Sequence, residues 1–176
     1  MRVQVDWLKE YVEISMPVGE LARRFTMAGI EVASVTTIGG WQSCHVGQVL
    51  KVEPHPNADR LKLCTVDIGS TTQRVICGAP NVVEGQKVPF AAVGAKLADP
   101  IDGKPVTLKA ATIRGVLSEG MICSEKELGI GDKHDGIVVL SDDAPIGADL
   151  SDYLGDHILD FDVTPNRPDC LSVVGM

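Results

Sequence analysis

The chain has 176 residues, 44% of them hydrophobic and 23% charged, with a formal net charge of −8 at pH 7. That length buries a substantial core without disulfide or metal staples, and the balance is that of an ordinary globular protein rather than a disordered or fibrous one. No run approaches the roughly 20 apolar residues that span a bilayer, and the N-terminus MRVQVDWLKEYVEI lacks the apolar core and cleavage site of a signal peptide, so a cytoplasmic protein with no membrane partner is expected.

Taken in chain order, Asp6 is the expected N-cap of a short helix, WLKEYV. Pro17 is the expected first-turn residue of the next helix, in which Leu21, Phe25 and Ala28 are spaced to share one buried face. Gly29 stops it, IEVASVTTI alternates as a half-buried strand does, and Gly39-Gly40 marks a boundary. Short β-rich runs follow: HVGQVLKVEP, LKLCTVDIG, QRVICG, KVPFAAVG and VTLKAATIRG. Turn-rich pieces such as PHPNAD, GAPNVVEGQ and the loop DPIDGKP separate them. This punctuation predicts a small barrel or a sandwich, and spacing alone does not tell the two apart.

Beyond them, SEKELG reads as one helical turn, with Ser124 and Glu127 as a capping box. GIVVLS reads as a strand and GADLSDYLG as a short helix closed by Gly155. HILDFDVT reads as a strand entering Thr164-Pro165-Asn166-Arg167-Pro168, where two prolines forbid regular helix. A chain that begins α+β, turns all-β and returns to α+β suggests one domain inserted into a loop of another. The expected organisation is α+β with an inserted all-β domain: residues 1–38 plus 151–176 form the discontinuous host and 39–150 the insert.

The five cysteines are odd in number, widely spaced and never in a CxxC pair, and the four histidines show no HxxxH spacing. No disulfide framework, metal-ligand cluster or catalytic constellation is read from them. Cys44 and His45 are adjacent, and on a strand adjacent side chains point to opposite faces. The acidic total predicts no strong nonspecific affinity for nucleic acid. From Lys51 to Arg114, however, nine Lys and Arg oppose six Asp and Glu, so any RNA contact is expected from this middle stretch.

Four motifs carry a family resemblance: His55-Pro56-Asn57-Ala58-Asp59-Arg60-Leu61 with the strand KLCTVDIG; VICGAPNV; GQKVPFAAVGAKL; and IRGVLSEGMICSEKELGIG. Together they resemble the EMAP-II-like tRNA-binding OB-fold module. The flanks MRVQVDWLKEYVEI, ELARRFTMAGIEVASV and DFDVTPNRPDCLSVVG are similar to the β chain of bacterial phenylalanyl-tRNA synthetases, in which such a module is inserted after the first few dozen residues. The resemblance implies a five-stranded OB-fold barrel set into a small discontinuous α+β domain. It also implies a ligase holoenzyme of two α and two β chains that uses ATP and Mg2+ to attach phenylalanine to its tRNA, with the synthetic site on the α chain. No cofactor and no DNA partner is expected for these residues. Because the family continues far beyond this point, the 176 residues are expected to be a fragment. The loop ADPIDGKP departs from relatives that carry more glycine and lysine there, which puts one RNA contact in doubt.

Between residues 42 and 150 the sole aromatic besides histidine is Phe90, so backbone and shape recognition is expected in preference to base stacking. The RNA-binding candidates are Asn57, Arg60, Lys62, Asn81, Lys87, Lys96, Arg114 and Ser118. Asn57 offers an amide to a phosphate or ribose, and equally satisfies turn backbone. Arg60 and Lys62 share one face of a strand by period two. Asn81 sits in a tight turn, Lys87 and Lys96 flank VPFAAVGA, and Arg114 beside Gly115 leaves the backbone approachable. Plain surface solvation competes with each of these roles. Two other readings stand beside tRNA binding within a synthetase: a stand-alone tRNA-binding or chaperone-like module, and an OB domain that mainly docks protein.

Overall fold

A computed structural model describes residues 1–98 and 105–176; most of the DPIDGKP loop falls outside the described residues. In chain order the elements are β1 (Arg2–Gln4), α1 (Val5–Lys9), α2 (Val18–Met27), β2 (Glu31–Ile38), β3 (Cys44–His55), β4 (Ala58–Asp67), β5 (Thr72–Cys77) and β6 (Lys87–Ala92). There follow β7 (Lys96–Ala98), β8 (Pro105–Thr107), β9 (Ala111–Ile113), β10 (Val116–Ser118), β11 (Gly120–Ile122), α3 (Glu125–Leu128), α4 (Leu150–Leu154) and β12 (Asp156–Asp162). Two 3-10 turns, Pro168–Leu171 and Val173–Gly175, end the chain. The chain divides into two units, Met1–Gly40 with Gly155–Met176, and Trp41–Leu154.

The first unit is a three-stranded antiparallel sheet of order β1-β12-β2 carrying two helices. The late strand β12 lies between the two early ones, with Val3 opposite Leu159 and Leu159 opposite Val35. That pairing makes one sheet from two distant stretches of sequence. Val3, Val5, Leu8, Leu21, Ile30, Leu159, Phe161, Cys170 and Val173 form its core, and Phe25 meets Phe161 edge-on at 4.9 Å.

Helix α2 ends in a Schellman motif: Gly29 N–H donates to Thr26 C=O and Ile30 N–H to Phe25 C=O, with Gly29 at φ 89°. Several local expectations are corrected here. Gln4, not Asp6, occupies the N-cap of α1, and the Asp6 carboxylate instead pairs with Lys9 at 2.6 Å. Pro17 is the N-cap residue of α2 rather than its first helical residue. Ala28 is exposed because the helix has already ended. Strand β2 forms, but it is an edge strand, and all of it except half-buried Val32 and Ile38 is exposed.

The second unit is built on a five-stranded antiparallel sheet of order β11-β6-β3-β4-β5. Strand β3 is 12 residues long and serves two partners. Its first half pairs with β6 and its second half with β4, and the register shifts between Val49 and Lys51. A bulge of this kind bends a strand and lets a sheet curl toward closure. The two ends then approach: Glu119 N–H donates to Arg74 C=O at 2.9 Å, and Ile76 N–H to the Ser118 hydroxyl at 3.1 Å. The result is a nearly closed five-stranded barrel of OB type.

Its interior holds Val49, Cys64, Val66, Ile68, Val75, Cys77, Val82, Val88, Phe90, Ile122 and Ile137. Gly47 permits that packing, since a Cβ there would stand 2.6 Å from Val66 Cγ1. Helix α3 carries the expected capping box between Ser124 and Glu127 and ends at Gly129, φ 69°. Trp41, 7% exposed, donates its indole N–H to Leu128 C=O at 2.9 Å.

Three expectations differ in this unit. VTLKAATIRG is not one strand: β8 pairs with β7, while β9 forms a separate hairpin with β10. GIVVLS forms no ladder, and its backbone makes single bonds, Val138 N–H to Cys123 C=O and Leu140 N–H to Lys87 C=O. The boundary read at 150/151 would cut α4, whereas the division between units falls after it, at Leu154/Gly155.

Candidate nucleic-acid interface

Two hairpin tips on the barrel are joined by side-chain hydrogen bonds. The β3–β4 tip contains His55, Pro56 and Asn57, and the β9–β10 tip is Ile113-Arg114-Gly115-Val116. The buried His55 ring accepts at Nδ1 from the Asn57 N–H, 3.1 Å away. Its proton therefore sits on Nε2, which donates to Ile113 C=O at 3.2 Å. The Asn57 side-chain amide donates to Arg114 C=O at 2.9 Å.

Arg114 and Gly115 have φ of 50° and 87°, the signature of a two-residue type I′ turn. Asn, Asp or Gly ordinarily takes the first of these positions, and a longer side chain in left-handed backbone costs about 1–2 kcal/mol. Both Arg114 and Arg60 are exposed, and Arg60 stands two residues along β4 from its tip.

The other candidates sit in different surroundings. Lys62 shares the inward parity of Cys64, and its ammonium turns into the barrel mouth, donating to Pro80 C=O at 3.2 Å and Val82 C=O at 3.0 Å. It therefore does not join Arg60 in one outward basic pair. Lys87 donates to Asp142 C=O at 2.6 Å and Ala144 C=O at 2.7 Å, fastening that turn to β6. Asn81 exchanges two bonds of 2.9 Å with the backbone N–H and C=O of Ile137. Ser118 is buried, accepts from Ile76 N–H and donates to Gly120 C=O at 3.0 Å. Lys96 is exposed on β7. The structure thus joins Asn57 to Arg114 and gives Lys62, Lys87, Asn81 and Ser118 partners in the barrel's own backbone.

Phe90 and Trp41 are buried within this unit, so neither offers a ring to a base. Exposed guanidinium groups such as those of Arg60 and Arg114 suit phosphate contacts.

Sequence reasoning passed over two features. One is His55 as a clamp, because its partner Ile113 is 58 residues away. The other is the pair Cys64 and Cys77 on adjacent strands, where Cys64 opposes Val75 and Cys77 opposes Lys62. The neighbouring Cys64 thiol, aided by the Ala79 backbone and the Lys62 charge, lowers Cys77 below the usual thiol range against the effect of burial. The neighbouring Cys77 thiol, with burial, pushes Cys64 up. Cys77 lines a cleft of about 260 Å³ together with Gly78, Ala79, Glu127, His134 and Ile137. Cys44 is pushed up to about 11 by burial, reinforced by Asp149, which removes it from consideration as a thiolate.

A family model described as a putative tRNA binding domain matches residues 44–149. The chain is 49% identical over its whole length to the phenylalanine–tRNA ligase beta subunit of Dehalococcoides mccartyi and 46% identical to that of Hahella chejuensis. It spans 22% of the length of each of these curated relatives. Among solved structures, that of a MetRS related protein from Pyrococcus horikoshii aligns with 78% of this chain and 97% of its own, at TM-score 0.43 and 21% identity.

Proposed function

Because the chain belongs to the putative tRNA-binding domain family, we propose that its barrel binds tRNA by the phosphate backbone, using guanidinium groups at the clamped hairpin tips. The observation that carries this reading is Arg114, exposed on a left-handed turn that two side chains of the neighbouring hairpin hold in place. Arg60 and Lys96 extend the cationic surface. With Phe90 and Trp41 buried, the barrel in this reading contacts the tRNA backbone rather than the phenylalanine anticodon bases.

By its likeness to phenylalanine–tRNA ligase beta subunits, we assign the chain to a cytoplasmic ligase that attaches phenylalanine to its tRNA. In this reading the β chain pairs with an α subunit in an α2β2 assembly, and the whole enzyme draws on ATP and Mg2+. Among the described residues no three His, Cys, Asp or Glu side chains converge as a metal site. The contribution of this chain is tRNA contact and structural support.

A protein-docking role for the barrel has one observation in its favour. The Lys62 and Lys87 ammonium groups are spent on internal carbonyls, in a chain of net charge −8. Titrating the chain with tRNA at about 50 and 200 mM salt separates the two readings. Phosphate contacts predict a loss of roughly threefold in affinity per contact over that range. Binding that is absent or indifferent to salt favours docking.

A further inference from the structure

We infer that His55 and Asn57 are positioning residues for Arg114, acting on tRNA through the turn they hold rather than by touching the RNA. The inference rests on the tRNA-binding reading above and adds to it the device that aims the guanidinium.

Arg114 occupies a place where turn chemistry favours Asn, Asp or Gly. It stands there at φ 50° with its side chain exposed. A residue that breaks a local rule and is held from outside marks a functional position more often than a folding one. The holding groups come from one neighbouring hairpin: the Asn57 amide on Arg114 C=O at 2.9 Å and His55 Nε2–H on Ile113 C=O at 3.2 Å. The Asn57 N–H in turn donates to His55 Nδ1, fixing the tautomer that makes the second bond possible. Both His55 ring nitrogens and the Asn57 amide nitrogen engage backbone. The amide nitrogen of Asn57, the group best suited to a phosphate, is already engaged with protein. A strained turn fixed on both carbonyls presents its side chain with little freedom left to lose, and that is how preorganisation improves binding.

A double-mutant cycle read as tRNA affinity against salt tests this. In wild type, Asn57→Ala is expected to weaken binding by roughly three- to tenfold and to lower the salt slope by about one, as the loss of one phosphate contact does. Arg114→Ala is expected to do the same. In the Arg114→Ala background, Asn57→Ala is expected to change neither quantity. Additive losses would overturn the inference, because Asn57 would then act on the RNA by itself or through the fold at large. A salt slope unchanged by Asn57→Ala would overturn it too. Should Asn57→Ala fail to fold, Asn57→Ser keeps a short donor and carries the cycle with the same expectations. Wild type that binds no tRNA sinks the tRNA-binding reading itself, and the inference falls with it. Wild type that binds while the cycle is additive sinks the inference alone.

Discussion

Gly120 faces the ring of Phe90 so closely that a Cβ on it would stand 2.3 Å from Phe90 Cζ and 2.7 Å from Ala91 C=O. Gly120 opposes Ala92 on the strand pair that leads to barrel closure, and Phe90 is fully buried. Neither the backbone oxygen nor a ring enclosed by Val66, Val88 and Ile122 has room to retreat. Gly120→Ala is therefore expected to destabilise the barrel by about 1–3 kcal/mol, the range for overpacking a core. Thermal unfolding followed by circular dichroism should show the midpoint falling by several degrees, and an unchanged midpoint would contradict the packing described.

Lys87 sits in the basic run that sequence alone offers to RNA, yet its ammonium satisfies two carbonyls of the 142–144 turn. Lys87→Met keeps most of the aliphatic stem and removes the charge. It leaves two carbonyls without their donor, which costs about 1–3 kcal/mol where water cannot replace it. Stability is expected to fall while tRNA affinity, measured on folded protein, changes less than for Arg114→Ala. The reverse ranking would return Lys87 to the RNA surface.

Asn81 makes a reciprocal pair of bonds with the Ile137 backbone, which fixes the segment beyond His134 against the GAPN turn. Asn81→Ala is expected to speed hydrogen exchange at the Ile137 amide by at least tenfold, since one lost bond of about 1.4 kcal/mol is a factor of ten in the opening equilibrium. Exchange at the Val66 amide, deep in the sheet, should not follow. A uniform rise across the barrel would mean that Asn81 supports the whole fold.

What could be read from sequence was what depends on near neighbours. The capping box of α3 lies within four residues, and it forms as the residue types dictate. The Gly29 stop is equally local. Alternation in β2 was legible as a strand but not as an exposed one, because burial depends on what covers the sheet and not on the strand's own pattern. The break in VTLKAATIRG was hidden because Arg-Gly is an uncommon I′ pair, where Asn-Gly would have announced a hairpin. Among the site candidates, spacing paired Arg60 with Lys62 on one face of the strand. It could not say that the Pro80 and Val82 carbonyls would fold over to meet Lys62. A lysine's partner some 20 residues away is fixed by tertiary closure, and period-two reasoning carries no information about it.

Cys64 and Cys77 give a pH-dependent prediction with a definite sign. The thiolate is the nucleophile, and Cys77 is lowered by the neighbouring Cys64 thiol, while Cys64 and Cys123 are pushed up, Cys123 chiefly by burial. As pH rises, Cys77 is expected to become the first of the described core thiols to react with iodoacetamide, entering from the cleft beside Gly78 and His134. Mass-spectrometric mapping of labelled peptides between pH 5 and 9 reads this directly. Cys64→Ala removes the main group that lowers Cys77 and leaves burial opposed only by the Ala79 backbone and the Lys62 charge, so the onset of Cys77 labelling should move to higher pH. Lys62→Met should move it in the same direction by a smaller amount, since the Lys62 charge lowers Cys77 less than the neighbouring Cys64 thiol does. Labelling of Cys77 that begins no earlier than that of Cys44, itself pushed up to about 11, would show that the neighbouring Cys64 thiol does not lower Cys77.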